Sequence, residues 1–323
     1  MKAFCCLLSL IVCALFIQSC GSSYVSVPVT RPSEVNLIKY KNVCVGEFGG
    51  HRVDRNLHIE LTNALIGSGK VNVLDHQALD RLLFENELTL AGLILRENSD
   101  KLTKLLGAAA IISGRVLTYD FDQDVQKGSP YADKNGKTHH DFVKIGTAKV
   151  KINFKITDLT NGQIIFSRNF ERTVVGKNSA TDEYPPDVKA EEQFSIAREN
   201  IVREFTRCIL PYTERINVEF LTDSDLPELE QGVELIRRGA WEDGIARFLL
   251  CARAARNNET LAKAYYDLGL AYQYTYTFDK AHEAFSKACA LVNEQRYFTA
   301  ATRCRMMEEE QRRLEYQLKN VQE

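Results

Sequence analysis

From residue 148 to 156 the chain alternates without a break. Ala148, Val150, Ile152, Phe154 and Ile156 are apolar, and Lys149, Lys151, Asn153 and Lys155 stand between them. A period of two with lysines outward predicts a strand in a sheet covered on one face and wet on the other. Asn161-Gly162 is a hairpin signal, leading into a return strand over residues 164–175. Upstream, residues 109–121 read as another long strand, and 43–45 and 71–74 as short apolar ones. Leu57, Leu61, Ala64 and Leu65 recur at helical spacing behind the capping residue Asp54, and Gly67 and Gly69 end that helix. Two further helices are expected, one behind Asp75 with Leu79, Leu82 and Leu83 inward, the other over residues 99–106. Phe194, Ile201, Phe205 and Ile209 place a helix over the covered side of the sheet. Strands alternating with helices, followed by an antiparallel hairpin, predict a mixed α/β domain over residues 39–213.

Beyond Pro211 no strand pattern is read. Residues 214–226 are expected to be a linker and 227–323 an all-α module. Within it, Tyr265-x-x-Leu268-Gly269-x-x-Tyr272, then Ala281, Phe285 and Ala288, resembles the tetratricopeptide (TPR) pattern, with Tyr265 in place of the usual Trp. Gly232, Leu235, Gly244 and Phe248 form an earlier copy, 37 residues ahead of Gly269, Tyr272, Ala281 and Phe285. The physical logic is that Gly269 and Ala281 are small where antiparallel helices touch, and Phe285 fills the gap between neighbouring hairpins. Residues 294–320 read as one charged closing helix, which a repeat stack needs to shield its last apolar face.

The N-terminus carries a different pattern. Lys2 precedes an apolar run over residues 4–17, the layout of a secretory signal covering residues 1–19. Ile17-Gln18-Ser19-Cys20 resembles the lipobox of bacterial lipoproteins, which implies cleavage before Cys20 and acylation of its thiol and new amino group. Each buried methylene contributes ~0.8 kcal/mol, and two or more chains make anchoring stable. Residues 20–38 are then expected as an extended lipidated tether, kept out of helix by Pro28 and Pro32. No later stretch has the ~20 apolar residues of a membrane-spanning helix. Gly21, in a position where aspartate is linked to inner-membrane retention, favours the outer membrane. The expected place is therefore the cell envelope, lipid-anchored at the outer membrane and facing the periplasm.

Composition narrows the chemistry. The chain has 323 residues, 26% of them charged, and a net charge of −2 with no basic tract, which argues against a nucleic-acid partner. Cys44, Cys208, Cys251, Cys289 and Cys304 remain after the signal and form no CxxC pairs, so no zinc site is expected. A Cys289–Cys304 bridge is left open. Gly67-Ser68-Gly69-Lys70 is not a phosphate loop, since Ala64 stands where the first glycine belongs and Val71 where Ser or Thr would hold magnesium. His139-His140-Asp141 lies in a polar hairpin loop without further ligands, and Glu308-Glu309-Glu310 reads as a wet helix face. There is no G-x-S-x-G elbow, and His51, His58 and His76 lack a nucleophile partner. Neither enzyme activity nor a cofactor is expected, apart from covalent lipid on Cys20. Tyr265 and Tyr272 are read as repeat core. Tyr266, Tyr274 and Tyr276 are read as part of a groove for a protein or peptide partner, because aromatics with a polar tip favour interfaces.

"NVCVGEFGG", the later "LHIELTNALIGSGKVNVLDHQALDRLLFENEL", "KLTKLLGAAAIISGRV" and the hairpin "INFKITDLTNGQIIFS" together resemble the CsgG/HfaB family of envelope lipoproteins. His76 replaces that family's usual Arg. The resemblance implies a CsgG/TolB-N-like α/β fold, a role in envelope assembly or secretion, and a homo-oligomer. Pore-forming members lend two long hairpins to a shared barrel. Here residues 120–141 are too polar for lipid contact, and 176–192 are broken by Pro185-Pro186. The expected function is a non-enzymatic, lipid-anchored binding and scaffolding protein. An export-pore subunit is the first alternative and an envelope hydrolase the second.

Overall fold

The computed structural model describes residues 21–40, 42–50, 55–74 and 109–319. In chain order they form β1 (Gly21–Arg31), β2 (Asn42–Gly50), α1 (Arg55–Ser68), β3 (Asn72–Leu74), β4 (Ala109–Lys127), β5 (Tyr131–Ala132) and β6 (Thr138–His139). Then come β7 (Asp141–Asp158), β8 (Ile164–Thr181), α2 (Ala190–Ile209), β9 (Tyr212–Thr222) and α3 (Glu228–Arg237). The chain finishes with α4 (Trp241–Ala254), α5 (Asn258–Tyr274), α6 (Phe278–Leu291) and α7 (Gln295–Lys319). The expected helices behind Asp75 and over 99–106, the Asp54 cap, His51, His76 and Cys20 lie outside the described residues. Two compact units divide the chain, one of residues 33–211 and 316–323, the other of residues 1–32 and 212–315.

The first unit is built on a sheet of order β3-β2-β4-β7-β8. β2 runs parallel to β3 and β4, while β4, β7 and β8 are antiparallel. Ala148, Val150, Ile152, Phe154 and Ile156 of β7 are all buried, as their alternation predicts. α2 supplies the cover through Phe194, Ile201, Phe205 and Ile209, and α1 adds Leu57, Leu61 and Leu65. The rings of Phe154 and Phe205 stack with centroids 4.1 Å apart, and Phe48 and Phe170 meet Phe154 edge-on, the offset and T-shaped geometries aromatic rings prefer. Arg198 of α2 is buried and donates to Glu60 of α1 (3.1 Å), to Glu191 (3.0 Å) and to the Tyr119 hydroxyl of β4 (2.6 Å). A guanidinium withdrawn from water is tolerated when its donors are met in this way.

β4 reaches Lys127 where the sequence predicts an end at 121, and β8 reaches Thr181 where it predicts 175. The ladder is continuous through these extensions, from Phe121↔Ala148 to Lys127↔Phe142 and on to Phe142↔Ala180. Backbone pairing sustains them, so their side chains need no apolar alternation, and Asp122, Gln123 and Asp124 beyond Phe121 stand in water. Gly146 and Gly176 face each other across this ladder, and a Cβ on either would come within 2.7 Å of Val188 in the run-in to α2.

The second unit overturns two expectations. Residues 21–31 are not a free tether. They form β1, which pairs antiparallel with β9 from Gly21↔Thr222 to Arg31↔Tyr212. Most of the expected linker 214–226 is therefore strand, and the unit is a ribbon with helices instead of all-α. Val25, Val27 and Val29 alternate inward beside Val218 and Phe220, and pack with Leu229, Val233, Phe248 and Phe285 of the helices. Pro28 is no obstacle. The Glu219 carbonyl and the Leu221 N–H bond to α5 and so point away from β1. By alternation Arg215 points away too, and its partner Pro28 occupies a non-bonded pair where a missing N–H costs nothing.

Cys44, Cys208, Cys251, Cys289 and Cys304 are all free thiols, so Cys289 and Cys304 are unbridged. Among the described residues no helix is long and apolar enough to cross a membrane.

Candidate partner-binding groove

In the ribbon–helix unit, β9 and the end of β1 face α5 and α7 across a groove of about 880 Å³. Ile216 and Val218 come from the ribbon, Leu270 and Tyr274 from α5, and Met306 and Met307 from α7, giving an apolar lining. Charge is arranged around it. Arg31 bridges Glu214 of β9 (3.0 Å) and Glu310 of α7 (2.5 Å). Arg296 reaches Glu219 (3.6 Å) and Glu294 (3.1 Å). Arg303 and Arg313 also line the groove, and no carboxylate among the described residues comes within ion-pair reach of either.

Helix α5 contains two buried polar groups, of which Gln273 lines the groove. Gln273 is 4% exposed; its Nε2 donates to Met307 Sδ at 3.4 Å, while its Oε1 has no partner. Asp267 is 0% exposed; one carboxylate oxygen accepts the Leu221 N–H at 2.9 Å, and the other has no partner. Burial pushes the Asp267 carboxyl well above the usual range, against the opposing pull of the Leu221 bond and of Lys263 and Arg296. Burial likewise raises the Tyr274 hydroxyl.

Of the three tyrosines expected in a partner groove, two are corrected. Tyr266 is 6% exposed, packs between Phe285 and Tyr297, and donates its hydroxyl to the Glu219 carbonyl at 3.3 Å. It belongs to the core and shows the groove only an edge. Tyr274 lines the groove. Tyr276 is 41% exposed at the α5–α6 turn and lies outside the groove lining. Tyr265 and Tyr272 are half-buried beneath the ammonium groups of Lys287 and Lys280. Gly232 lies against Phe248 and Gly269 against Phe285, each so closely that a Cβ would clash. Leu268, Ala281 and Ala288 are buried, Gly244 sits under Ile236, and Leu235 is half-buried.

Elsewhere the candidate chemistry is structural. Gly67-Ser68-Gly69-Lys70 is a helix-ending turn, with the Lys70 ammonium donating to the Pro211 carbonyl at 2.6 Å. His139 sits between Asp182 (2.7 Å) and Asp133 (3.4 Å), so the loop at 139–141 is pinned, not loosely solvated. Glu308 and Glu310 are engaged with His282 and Arg31, which leaves the expected wet acidic face only in part. No group of His, Cys, Asp or Glu among the described residues has the arrangement of a metal site. Gln273, Arg303 and Arg313 were not singled out from the sequence. Within "TRCRMMEEEQRR" nothing distinguishes arginines with partners from those without.

Residues 26–182 match the family described as curli production assembly/transport component CsgG. This segment is CsgG-like. The family segment begins inside β1 and ends one residue past β8. Among curated protein sequences there is no match to the chain. Similar solved structures include the PelC dodecamer from Paraburkholderia phytofirmans, at 10% identity and a TM-score of 0.29, covering 58% of this chain and 99% of that one. Lipoprotein GNA1162 from Neisseria meningitidis is similar at 15% identity and a TM-score of 0.27, covering 51% and 97%. The LpoB C-terminal domain from Escherichia coli is similar at 14% identity and a TM-score of 0.26, covering 41% and 82%. Scores at this level carry no functional inference.

Proposed function

We propose that this protein is a lipid-anchored component of the bacterial envelope, held at the outer membrane through acyl chains on Cys20, that binds and scaffolds other proteins during envelope assembly or secretion. The observation that carries this reading is the CsgG family match over residues 26–182. The helical pairs α3–α4 and α5–α6, with a glycine against a phenylalanine in each, act as a TPR-type docking module. The groove, with Tyr274 in its wall, receives the partner. The protein needs no cofactor beyond its lipid and catalyses no reaction. Exchanging Cys20→Ser is expected to move the protein from the membrane fraction to the soluble fraction, and a variant that stays with the membrane overturns the anchor. A photo-crosslinking side chain at position 274 in the native envelope is expected to give a discrete adduct heavier than the protomer; no adduct overturns docking at the groove.

A second reading, the export-pore subunit, is favoured by one observation: β4, β7 and β8 run 18–19 residues, well past the cover of α2. Against it, the extensions carry Asp122, Asp124 and Lys177, which a lipid-facing strand does not tolerate at mid-depth. Planar-bilayer conductance of the acylated protein separates the two, since stable channels would reverse the ranking.

A further inference from the structure

The groove has an unbalanced set of polar groups, and the imbalance specifies an occupant. Its carboxylates are already engaged, Glu214 and Glu310 by Arg31 and Glu219 by Arg296. Its charges without an ion-pair partner among the described residues are the guanidinium groups of Arg303 and Arg313. Both stand on α7, ten positions apart, which at ~1.5 Å per residue is about 15 Å along the helix. An extended chain rising ~3.3 Å per residue spans that distance in between about four and five residues, and side chains four apart share one face. Beside α7, on α5, the Gln273 Oε1 is an acceptor without a donor among the described residues, at a residue 4% exposed. A buried acceptor left unmet costs roughly 1–3 kcal/mol, so a ligand that brings an N–H there gains by it. Met306, Met307, Leu270 and Ile216 supply contact for apolar side chains.

We propose that the groove between the β1–β9 ribbon and helices α5 and α7 takes an extended acidic segment of a partner protein, with carboxylates on Arg303 and Arg313 and a backbone N–H on Gln273. This rests on the docking reading above and narrows it to one chemical class. A peptide supplies all three features together: carboxylates at strand spacing, apolar side chains between them, and backbone N–H groups. Planar guanidinium groups favour carboxylates through paired N–H···O bonds, and α7 holds the two in fixed register.

The test uses the full chain and two acetylated synthetic peptides of alternating leucine and serine, one carrying two glutamates four residues apart, the other lysines at the same places. Binding is read by fluorescence anisotropy. The glutamate peptide is expected to bind and the lysine peptide not. Arg303→Glu with Arg313→Glu is expected to weaken the glutamate peptide by at least about tenfold, the effect of losing charge-assisted contacts, and to admit the lysine peptide. Both arginines are exposed, so the variant should keep the wild-type unfolding midpoint, checked by circular dichroism. Gln273→Leu is expected to weaken the glutamate peptide several-fold without changing charge selectivity. Equal binding of both peptides, or preference for lysine, overturns the acidic class and leaves docking intact. If neither peptide binds while the position-274 adduct forms, the extended acidic segment is overturned and docking survives. If neither peptide binds and no adduct forms, both fall.

Discussion

The two helix pairs of the ribbon–helix unit are built to the same plan and finished differently. In α3–α4 a Cβ on Gly232 would meet the Phe248 ring at 2.5 Å; in α5–α6 a Cβ on Gly269 would meet the Phe285 ring at 2.7 Å. The turns correspond bond for bond. Gly239 N–H donates to Ile236 and Ala240 N–H to Leu235, both at 2.9 Å. Thirty-seven residues on, Tyr276 N–H donates to Gln273 at 3.1 Å and Thr277 N–H to Tyr272 at 2.9 Å. The left-handed position is a glycine in the first pair and Tyr276 in the second, with φ of 84° and 59°. Only the second pair buries a carboxyl and a side-chain amide with unmet atoms, Asp267 and Gln273. The first pair is therefore packing alone, and the second gives up some stability to present polar groups beside β9 and the groove.

The largest effects should fall on the shared part of the plan. Phe248→Ala and Phe285→Ala each remove a fully buried ring and are expected to cost ~3–5 kcal/mol, measured by urea denaturation. The two losses should be alike, because each ring also has an aromatic neighbour, Phe220 at 6.0 Å from Phe248 and Tyr266 at 6.1 Å from Phe285. Gly232→Ala and Gly269→Ala come next, at ~1–3 kcal/mol, since each added methyl forces the facing ring to move. If the two glycine variants differ by more than that range, the plan is not shared.

The next effect should appear in the second pair alone. The folded-state pKa of Asp267 is raised by burial. From the ordinary carboxylate value of ~4 upward, the folded state therefore holds one proton more than the unfolded state. The contribution of Asp267 to stability therefore falls as pH rises through that window, the reverse of the usual salt-bridged aspartate. Asp267→Asn keeps an acceptor for the Leu221 N–H and removes the ionisation. Its unfolding free energy should be flatter from pH 4 to 8 and exceed wild type at neutral pH by on the order of 1–2 kcal/mol. A difference between wild type and Asp267→Asn that stays constant across this range would contradict a carboxyl kept neutral by burial.

How much of this could be read beforehand depended on whether side-chain pattern or backbone pairing holds an element. The alternation in β7 and the helical spacing of Phe194, Ile201, Phe205 and Ile209 in α2 record burial, and both elements form where that pattern predicts. The 37-residue offset likewise emerges in the paired turns. β1 was hidden by Pro28 and Pro32, although Val25, Val27 and Val29 alternate on either side of Pro28. β9 was hidden by Glu214, Arg215 and Glu219, which stand among inward Ile216, Val218 and Phe220. Each strand is marginal by itself and makes sense only with its partner, some 190 residues away in sequence. The ends of β4 and β8 were missed for a related reason, since ladder bonds leave no mark on side-chain polarity. Tyr274 was found as an aromatic with a free tip. Arg303, Arg313 and Gln273 matter only through which partners they lack, and that exists only in three dimensions.

The smallest effect isolates what the second pair gave up. A non-glycine residue in the left-handed region is disfavoured by roughly 1 kcal/mol, and Gly239 shows that this turn works with a glycine. Tyr276→Gly should therefore raise stability by ~0.5–1 kcal/mol, less the loss of its edge contact with Phe278 at 6.0 Å and the added freedom of the unfolded chain. Gly239→Tyr, made in the first pair, should cost about as much as the reverse change gains. Because Tyr276 lies outside the groove lining, Tyr276→Gly is expected to leave affinity for the acidic peptide unchanged. A loss of binding beside a gain in stability would instead extend the docking surface around the α5–α6 turn, and would explain why a strained tyrosine stands where the first pair uses glycine.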